Sequence, residues 1–166
     1  MKLLPSQQAA IVLIALDAIV VVSGVVTGAA LLPGWANLVM VLASAALLVL
    51  LLVQTGGSFR VDGLATAFRL LRETLPKWAI GLAAVAFYGG WLLAFIGLSS
   101  DSTAGNLNYE NGKYTSTQRK VVRELTKEQY EAAQTANQRM WAGFGLAFAG
   151  GVLGFAGIAA RAKENR

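Results

Sequence analysis

The chain of 166 residues contains neither cysteine nor histidine. Without cysteine it can form no disulfide bond, no thiolate nucleophile and no cysteine-ligated metal site. Without histidine it lacks the commonest general base and the commonest metal ligand. Charged residues are also scarce, at 14% of the chain, whereas hydrophobic residues make up 55%. This inventory leaves little for catalysis, and we expect a protein that is not an enzyme and that holds no metal and no cofactor.

The apolar residues are concentrated in long stretches that are typical of membrane-spanning helices. A helix needs about 20 predominantly apolar residues to cross a bilayer, and residues 9–32, 35–53, 78–98 and 140–160 meet that requirement. We interpret the first stretch as a retained span rather than a signal peptide, because it is long and contains Asp17. The chain is therefore predicted to be an all-α membrane protein, a single domain with four transmembrane helices.

The basic residues indicate which side of the membrane each loop occupies. Lys and Arg accumulate in short cytoplasmic loops, and here they occur near the N-terminus, between the second and third spans and in the C-terminal tail. These segments fall on one side of a four-span protein, so we place both termini in the cytoplasm and the loop of residues 99–138 outside. The net charge of +5 then reflects membrane topology, and we expect no nucleic-acid partner.

The loop between the second and third spans contains a short amphipathic pattern. In RVDGLATAFRLLRETLPK, apolar residues recur at spacings of three and four, as on one face of a helix: Val61, Leu64, Phe68, Leu71 and Leu75. We predict an interfacial helix over residues 60–75 that lies on the membrane surface, with Arg69 and Arg72 at phospholipid headgroups. This helix is either a simple connector or a docking surface for a cytoplasmic partner.

The outer loop contains a signal for a small β element. Asn111-Gly112 lies between Tyr109 and Tyr114, and Asn-Gly between β-prone residues is a strong indicator of a hairpin. The segment QRKVVREL can add a further extended strand. A hairpin needs a covered face for stability. Tyr109, Tyr114 and Tyr130 either belong to a self-contained cap over the bundle or act as aromatic anchors for a docking partner.

The segment after the hairpin predicts a long final helix. Thr126 and Gln129 form a capping-box pattern, and nothing interrupts the helix between Lys127 and the C-terminus. A helix of more than 30 residues would therefore project outside the membrane before it becomes the fourth span.

Small residues recur at helical spacing in three of the spans. Lipid supplies no hydrophobic force between helices, so close packing on small residues takes its place. The residues predicted to pack in this way are Gly24, Gly28, Ala86, Gly90, Gly143, Ala147, Gly150 and Gly154. These surfaces face each other within one chain or face a partner subunit.

Asp17 is an acidic residue inside the first span. About eight residues into the helix, it would lie roughly 12 Å below the membrane surface, where an unpaired carboxylate costs on the order of 3 kcal/mol or more. The predicted spans contain no Lys, Arg or His to neutralise it. Three arrangements are open: a protonated Asp17 bonded to Ser44, Tyr88 or a backbone carbonyl, a base on another subunit, or a water-filled path for protons or cations.

The outer segment resembles small, uncharacterised four-span bacterial membrane proteins, in which a hairpin with a tyrosine precedes a helix entry of the form V-x-E-L-T-x-E-x-Y. The matching residues are Tyr114, Val122, Glu124, Leu125, Thr126, Glu128 and Tyr130. The resemblance implies a four-span topology and a bacterial origin, hence a multi-pass protein of the bacterial inner membrane. It implies no mechanism.

These features lead to a functional expectation that is not catalytic. We expect an accessory or scaffold subunit of a larger inner-membrane complex, which packs through its small-residue faces and docks through the outer loop. Its partners would be other integral membrane subunits and phospholipid. The alternatives are a stand-alone membrane binding protein of the immunity or exclusion type, and a small oligomeric proton or ion conductor that uses Asp17.

Overall fold

The computed structural model describes residues 3–54, 64–99, 105–118 and 120–164. Within these ranges the chain forms helices and strands in the order α1 (Pro5–Thr27), α2 (Gly34–Gln54), α3 (Leu64–Thr74), α4 (Lys77–Leu98), β1 (Asn106–Glu110), β2 (Lys113–Gln118), β3 (Val121–Leu125) and α5 (Lys127–Glu164). The helices α1, α2, α4 and α5 are long and apolar enough to cross a membrane. The fold thus contains the four long apolar helices and the small β element that the sequence predicts.

The local sequence explains where α1 begins and ends. The helix starts earlier than predicted, at Pro5, because proline suits the first turn of a helix. There the Gln7 Oε1 accepts a hydrogen bond from Leu4 N–H at 2.9 Å. The helix ends before Gly28, whose φ of +67° is the left-handed conformation that glycine adopts readily.

The last helix, α5, forms the centre of the bundle. The predicted capping box between Thr126 and Gln129 opens it, with N···O distances of 3.0 and 3.2 Å, and it continues for 38 residues. We compared the most apolar 18-residue segment of each long helix. In α5, 78% of this segment is buried, whereas the buried share is 28% in α1, 22% in α2 and 28% in α4. Each of those three helices packs mainly against α5, so α5 supplies the core on which the others are arranged.

The tight turn at Pro33 does not make α1 and α2 each other's main partners. From the sequence we expect two helices joined by so short a turn to be close neighbours. In the structure they share only a small contact, and each makes a much larger one with α5. Small residues explain the difference, since the glycine- and alanine-rich surface of α5 lets other helices approach closely.

Small residues bring α4 and α5 into backbone contact. A Cβ atom at Gly90 would lie 2.5 Å from Ala147 N and 2.6 Å from Gly143 O. A Cβ atom at Gly150 would lie 2.6 Å from Phe87 N. Neither position has space for a side chain, so the two backbones touch along the predicted stripes, as in small-residue packing within membranes.

The three strands form one antiparallel sheet in the order β1-β2-β3. The predicted turn joins the first two strands, and its residues Asn111 and Gly112 have φ values of +53° and +78°. Each strand contacts α5. We call this end of the bundle the sheet end. At the opposite end, here called the α3 end, Leu71 and Thr74 of α3 face Gly154 and Gly157 of α5.

Candidate functional site

Asp17 is buried inside the chain, against the backbone of α5. Its side chain is only 1% exposed. The residue opposite is Gly145, where a Cβ atom would lie 2.7 Å from both Cγ and Oδ1 of Asp17. The Oδ2 atom has no hydrogen-bond partner among the described residues. The carboxyl group therefore depends on a glycine of the same chain for its space.

Of the two side chains predicted to accompany Asp17, one is buried and one is not. Ser44 of α2 is 0% exposed, and its Oγ has no hydrogen-bond partner in the described part of the chain. Tyr88 is 73% exposed and packs edge-to-face on Phe87, with ring centroids 5.3 Å apart. The expectation that Tyr88 bonds Asp17 is therefore wrong, because its position on α4 directs it to the outside of the bundle.

The predicted packing glycines outside the α4–α5 contact are not equivalent. A Cβ atom at Gly24 would lie 3.4 Å from Thr135 Cγ2, an ordinary contact with α5. At Gly28 it would meet no described atom within 4 Å, because this residue ends α1 and meets α5 through its carbonyl oxygen rather than through close helix packing. Among the described residues, a Cβ atom at Gly154 would come within 4 Å of Leu71 Cδ2 alone, at 3.9 Å. Gly28 is thus a helix terminus, and the assignment of Gly28 to helix packing is corrected.

Ala86 belongs to the tight α4–α5 contact. Its side chain is buried, and a Cβ atom at Gly150 would lie 3.1 Å from its carbonyl carbon. With Gly90, Gly143 and Ala147, it completes a surface that the chain satisfies within itself.

The three tyrosines of the outer segment stack on one another. The rings of Tyr109 and Tyr114 lie 4.6 Å apart, centroid to centroid, and those of Tyr114 and Tyr130 lie 5.0 Å apart. Tyr114 and Tyr130 are half-buried, whereas Tyr109 is 55% exposed. The stack fastens the sheet to α5, so Tyr114 and Tyr130 serve an internal contact and Tyr109 keeps an open surface.

The outward surface of the sheet is exposed and carries an ion pair on the same face as the exposed Val122. Lys113 Nζ donates a hydrogen bond to Glu124 Oε1 at 2.7 Å. This bond and the positive charge of Lys113 hold the pKa of Glu124 below its ordinary value, and the same bond and the negative charge of Glu124 raise the pKa of Lys113. Both side chains are about two-thirds exposed, so the pair contributes little to stability.

The two arginines predicted to meet phospholipid lie on α3 and are exposed. The guanidinium carbon of Arg72 sits 5.0 Å from the centre of the Phe68 ring, a cation–π contact. Arg69 is also exposed. Residues 60–63 of the predicted interfacial helix lie outside the described residues. Both guanidinium groups are accessible at the α3 end, as headgroup contacts require.

At the sheet end, two side chains of α5 hold the turn between α1 and α2. The Thr135 hydroxyl lies 3.0 Å from the Gly28 carbonyl oxygen and 2.9 Å from the Glu131 carbonyl oxygen, and its one proton is shared between these two acceptors. Leu31 N–H donates to Gln138 Oε1 at 2.8 Å. These bonds satisfy backbone groups that a helix end leaves without partners.

A cavity of about 290 Å³ lies beside this turn, between the start of α2, the start of the sheet and α5. Its lining includes five residues that carry a side-chain amide, which are Asn37, Asn106, Gln134, Asn137 and Gln138. Tyr130 and Trp141 supply aromatic surface. The described lining includes no Lys, Arg, Asp or Glu. The cavity therefore offers neutral hydrogen-bond donors and acceptors beside aromatic rings.

Two of the cavity amides are deeply buried. Gln138 is 2% exposed and Asn37 is 4% exposed. The Gln138 Oε1 is occupied by Leu31 N–H, whereas its Nε2 has no hydrogen-bond partner in the residues that the structure describes. A buried donor without an acceptor is unfavourable, so Gln138 retains hydrogen-bonding capacity that the chain's own described groups do not use.

The remaining chemistry of the described residues is sparse. They contain no cluster of three or more acidic side chains that could hold a metal ion. Comparison of the chain with protein-family models, with curated proteins and with solved structures finds no match.

Sequence reasoning missed both Gly145 and the cavity. Gly145 falls outside the glycine stripe of the last span, and only the position of Asp17 on α1 reveals why it is small. The cavity amides come from α2, β1 and α5, so no local motif connects them. One signal was available, because the polar run QTANQ precedes the apolar part of the last helix.

Proposed function

We propose that this protein is a self-contained, non-enzymatic membrane protein that binds a ligand at the cavity of its sheet end. The observation that carries the proposal is the cavity itself, with five amides, two aromatic rings and a buried Gln138 Nε2 that has no partner in the described chain. Binding sites are typically concave, with a few convergent polar groups among apolar and aromatic surface.

The contacts within the chain favour this proposal over an accessory subunit. That expectation depended on small-residue faces, Asp17 and the outer tyrosines as surfaces for other subunits. The α4–α5 stripes touch each other, Asp17 lies against Gly145, and the tyrosines stack among themselves. Each feature has an occupant inside the chain, which lessens the need for a partner subunit.

The proposal includes a location and an orientation. The four long apolar helices are compatible with a multi-pass membrane protein. We place it in the bacterial inner membrane with both termini in the cytoplasm, because the basic residues accumulate at that side. The sheet end and its cavity then face outwards, and Arg69 and Arg72 lie at the cytoplasmic headgroups.

The first experiment tests whether the cavity is occupied in native membranes. The chain has no cysteine, so single cysteines can be labelled without background. Asn106 belongs to the cavity lining, whereas Asn108, on the same face of the same strand, does not, so Asn106→Cys reports on the cavity and Asn108→Cys is the matched control. We expect a membrane-impermeant maleimide, added from outside, to label Asn106→Cys several-fold more slowly in native membranes than after delipidation, with no such change at Asn108→Cys.

Equal labelling rates for the two variants under both conditions would contradict a binding function for the cavity. If the impermeant maleimide reaches Asn106→Cys only when it is added from the cytoplasmic side, the proposed orientation is contradicted. Extraction in a mild detergent supplies the comparison with the subunit hypothesis: a monodisperse single species supports the proposal, whereas a fixed set of co-purifying membrane subunits supports the accessory role.

A further inference from the structure

The lining of the sheet-end cavity restricts the charge of its ligand. Phosphate and carboxylate groups are usually bound by Arg, Lys or helix N-termini, and ammonium groups by carboxylates or several aromatic faces. None of the described residues that line this cavity is charged. The lining therefore suits a neutral ligand better than a phospholipid headgroup or an ionised peptide terminus.

The amides specify hydroxyl groups on that ligand. Each side-chain amide offers two N–H donors and one carbonyl acceptor, and a hydroxyl group can answer both because it donates and accepts. Gln138 differs from the other amides, since its Oε1 accepts from Leu31 N–H and its buried Nε2 has no partner among the described residues. The half-buried Gln134 and Asn137 are cavity amides that a ligand hydroxyl can reach.

The aromatic residues and the size of the cavity indicate a ring. Tyr130 and Trp141 line the same space as the amides, and the C–H faces of a sugar ring pack well on such surfaces. The volume of about 290 Å³ is at the lower limit of small-molecule sites, which extend to about 1,000 Å³. The space fits one sugar ring, which can be one unit of a disaccharide, rather than a long oligosaccharide or a folded peptide.

The position of the cavity indicates a ligand at the level of lipid headgroups. Leu32 and Gly34, in the turn between two long apolar helices, form part of the lining. Trp141 is partly exposed at the start of the apolar part of α5, and tryptophan prefers the membrane interface. A sugar carried on a lipid would meet the cavity at this depth.

We propose that the sheet-end cavity binds a neutral sugar ring through its amides and aromatic side chains, with a membrane glycolipid as the source. This inference rests on the proposed function, since it assigns the ligand class of the same cavity. A free neutral sugar shares the chemistry, and the experiment separates the two sources.

The test uses the full chain carrying Asn106→Cys or Asn108→Cys, reconstituted in vesicles of defined lipid. The vesicles contain phosphatidylglycerol alone, phosphatidylglycerol with phosphatidylethanolamine, or phosphatidylglycerol with diglucosyl diacylglycerol. A fourth sample contains phosphatidylglycerol with free maltose. We expect the glucolipid to slow maleimide labelling of Asn106→Cys at least fivefold and to leave Asn108→Cys unchanged.

Second-site substitutions show that protection acts through the lining. Added to Asn106→Cys, Gln134→Leu or Asn137→Leu should restore fast labelling in glucolipid vesicles. Neither amide takes part in the bond to Leu31, so the turn between α1 and α2 is kept. If both maltose and the glucolipid protect Asn106→Cys, the cavity binds a sugar ring and a free sugar is also a possible source. If the glucolipid alone protects it, the source is the lipid.

Other results overturn the inference. Equal protection by phosphatidylethanolamine would show that the cavity does not select a sugar. If neither the glucolipid nor maltose protects Asn106→Cys, the sugar assignment is also overturned. The labelling in native membranes then shows whether the ligand class or the binding function itself is wrong. If native membranes still protect Asn106→Cys, only the ligand class is wrong; if they do not, the binding function fails too.

Discussion

The two ends of the bundle each bury a glutamine, and the comparison shows what is special at the sheet end. Gln7 at the α3 end accepts a hydrogen bond from Leu4 N–H, and Gln138 at the sheet end accepts one from Leu31 N–H. Each Nε2 lacks a partner among the described residues. The surroundings differ, because Gln7 lies against Thr74 and Gly157 whereas Gln138 lines an open cavity.

The difference shows that closing a helix end does not require an amide-rich cavity. At the α3 end one glutamine satisfies the backbone within a tightly packed surrounding, and the nearby cavity of Leu4, Leu51 and Ala156 is largely apolar. At the sheet end, four further amides collect beside Gln138. Their number exceeds what the turn between α1 and α2 uses, and this excess is the reason to assign them to a ligand.

The largest expected effect comes from Gly145, midway between the two ends. Gly145→Ala should reduce stability by about 1–3 kcal/mol, as overpacking does, because the new methyl group would overlap the Asp17 carboxyl group. Unfolding in detergent at increasing denaturant measures the change. Gly81→Ala is the control, since its Cβ would meet no described atom within 4 Å.

The companion variant identifies the cause of that loss. Asp17→Ala combined with Gly145→Ala should recover much of the stability, because truncation of the carboxyl group makes space for the methyl group. Such non-additivity is expected only for residues in contact. If the two substitutions are simply additive, the packing of Asp17 on Gly145 does not limit stability.

The next effect compares the two glutamines directly. Gln138→Met and Gln7→Met each remove one side-chain acceptor of a backbone N–H, at a cost of about 1 kcal/mol. Only Gln138→Met should also change the maleimide labelling of Asn106→Cys in native membranes. If Gln7→Met alters that labelling equally, the effect is a general loosening of the bundle and the ends are not functionally distinct.

The third prediction concerns transport through the middle of the bundle. Under the proposed binding function, vesicles that contain the wild-type chain should show no more proton flux than empty vesicles. Vesicles that contain Asp17→Asn should show the same low flux. A pH-sensitive dye trapped inside the vesicles measures the flux. Flux in wild type that disappears in Asp17→Asn, while the variant still folds, would support the conductor alternative.

The smallest expected effect lies on the outward surface of the sheet. The folded pKa of Glu124 is below its ordinary value of 4.5, so the Lys113 pair stabilises the fold above that ordinary value. The contribution is lost as the pH falls through the lower, folded pKa. Glu124→Gln should therefore match wild type in acid and be slightly less stable near neutrality, as thermal unfolding at several pH values would reveal.

The sequence predicted much of the secondary structure because its signals are local. The capping box at Thr126, the Asn111-Gly112 turn and the apolar runs each depend on residues close together in the chain. The packing partners were not predictable in the same way. That Asp17 faces Gly145 and that Tyr88 points outwards depend on how α1 and α4 rotate about α5.

The central position of α5 has a consequence for the order in which the protein is made. In the membrane that we propose, α1, α2 and α4 emerge from the ribosome before the helix on which all three pack. Until α5 arrives, Asp17 has no Gly145 to lie against, and the turn after α1 lacks Thr135 and Gln138. Synthesis and insertion of the last helix would then be the step that converts three loosely associated helices into a folded bundle.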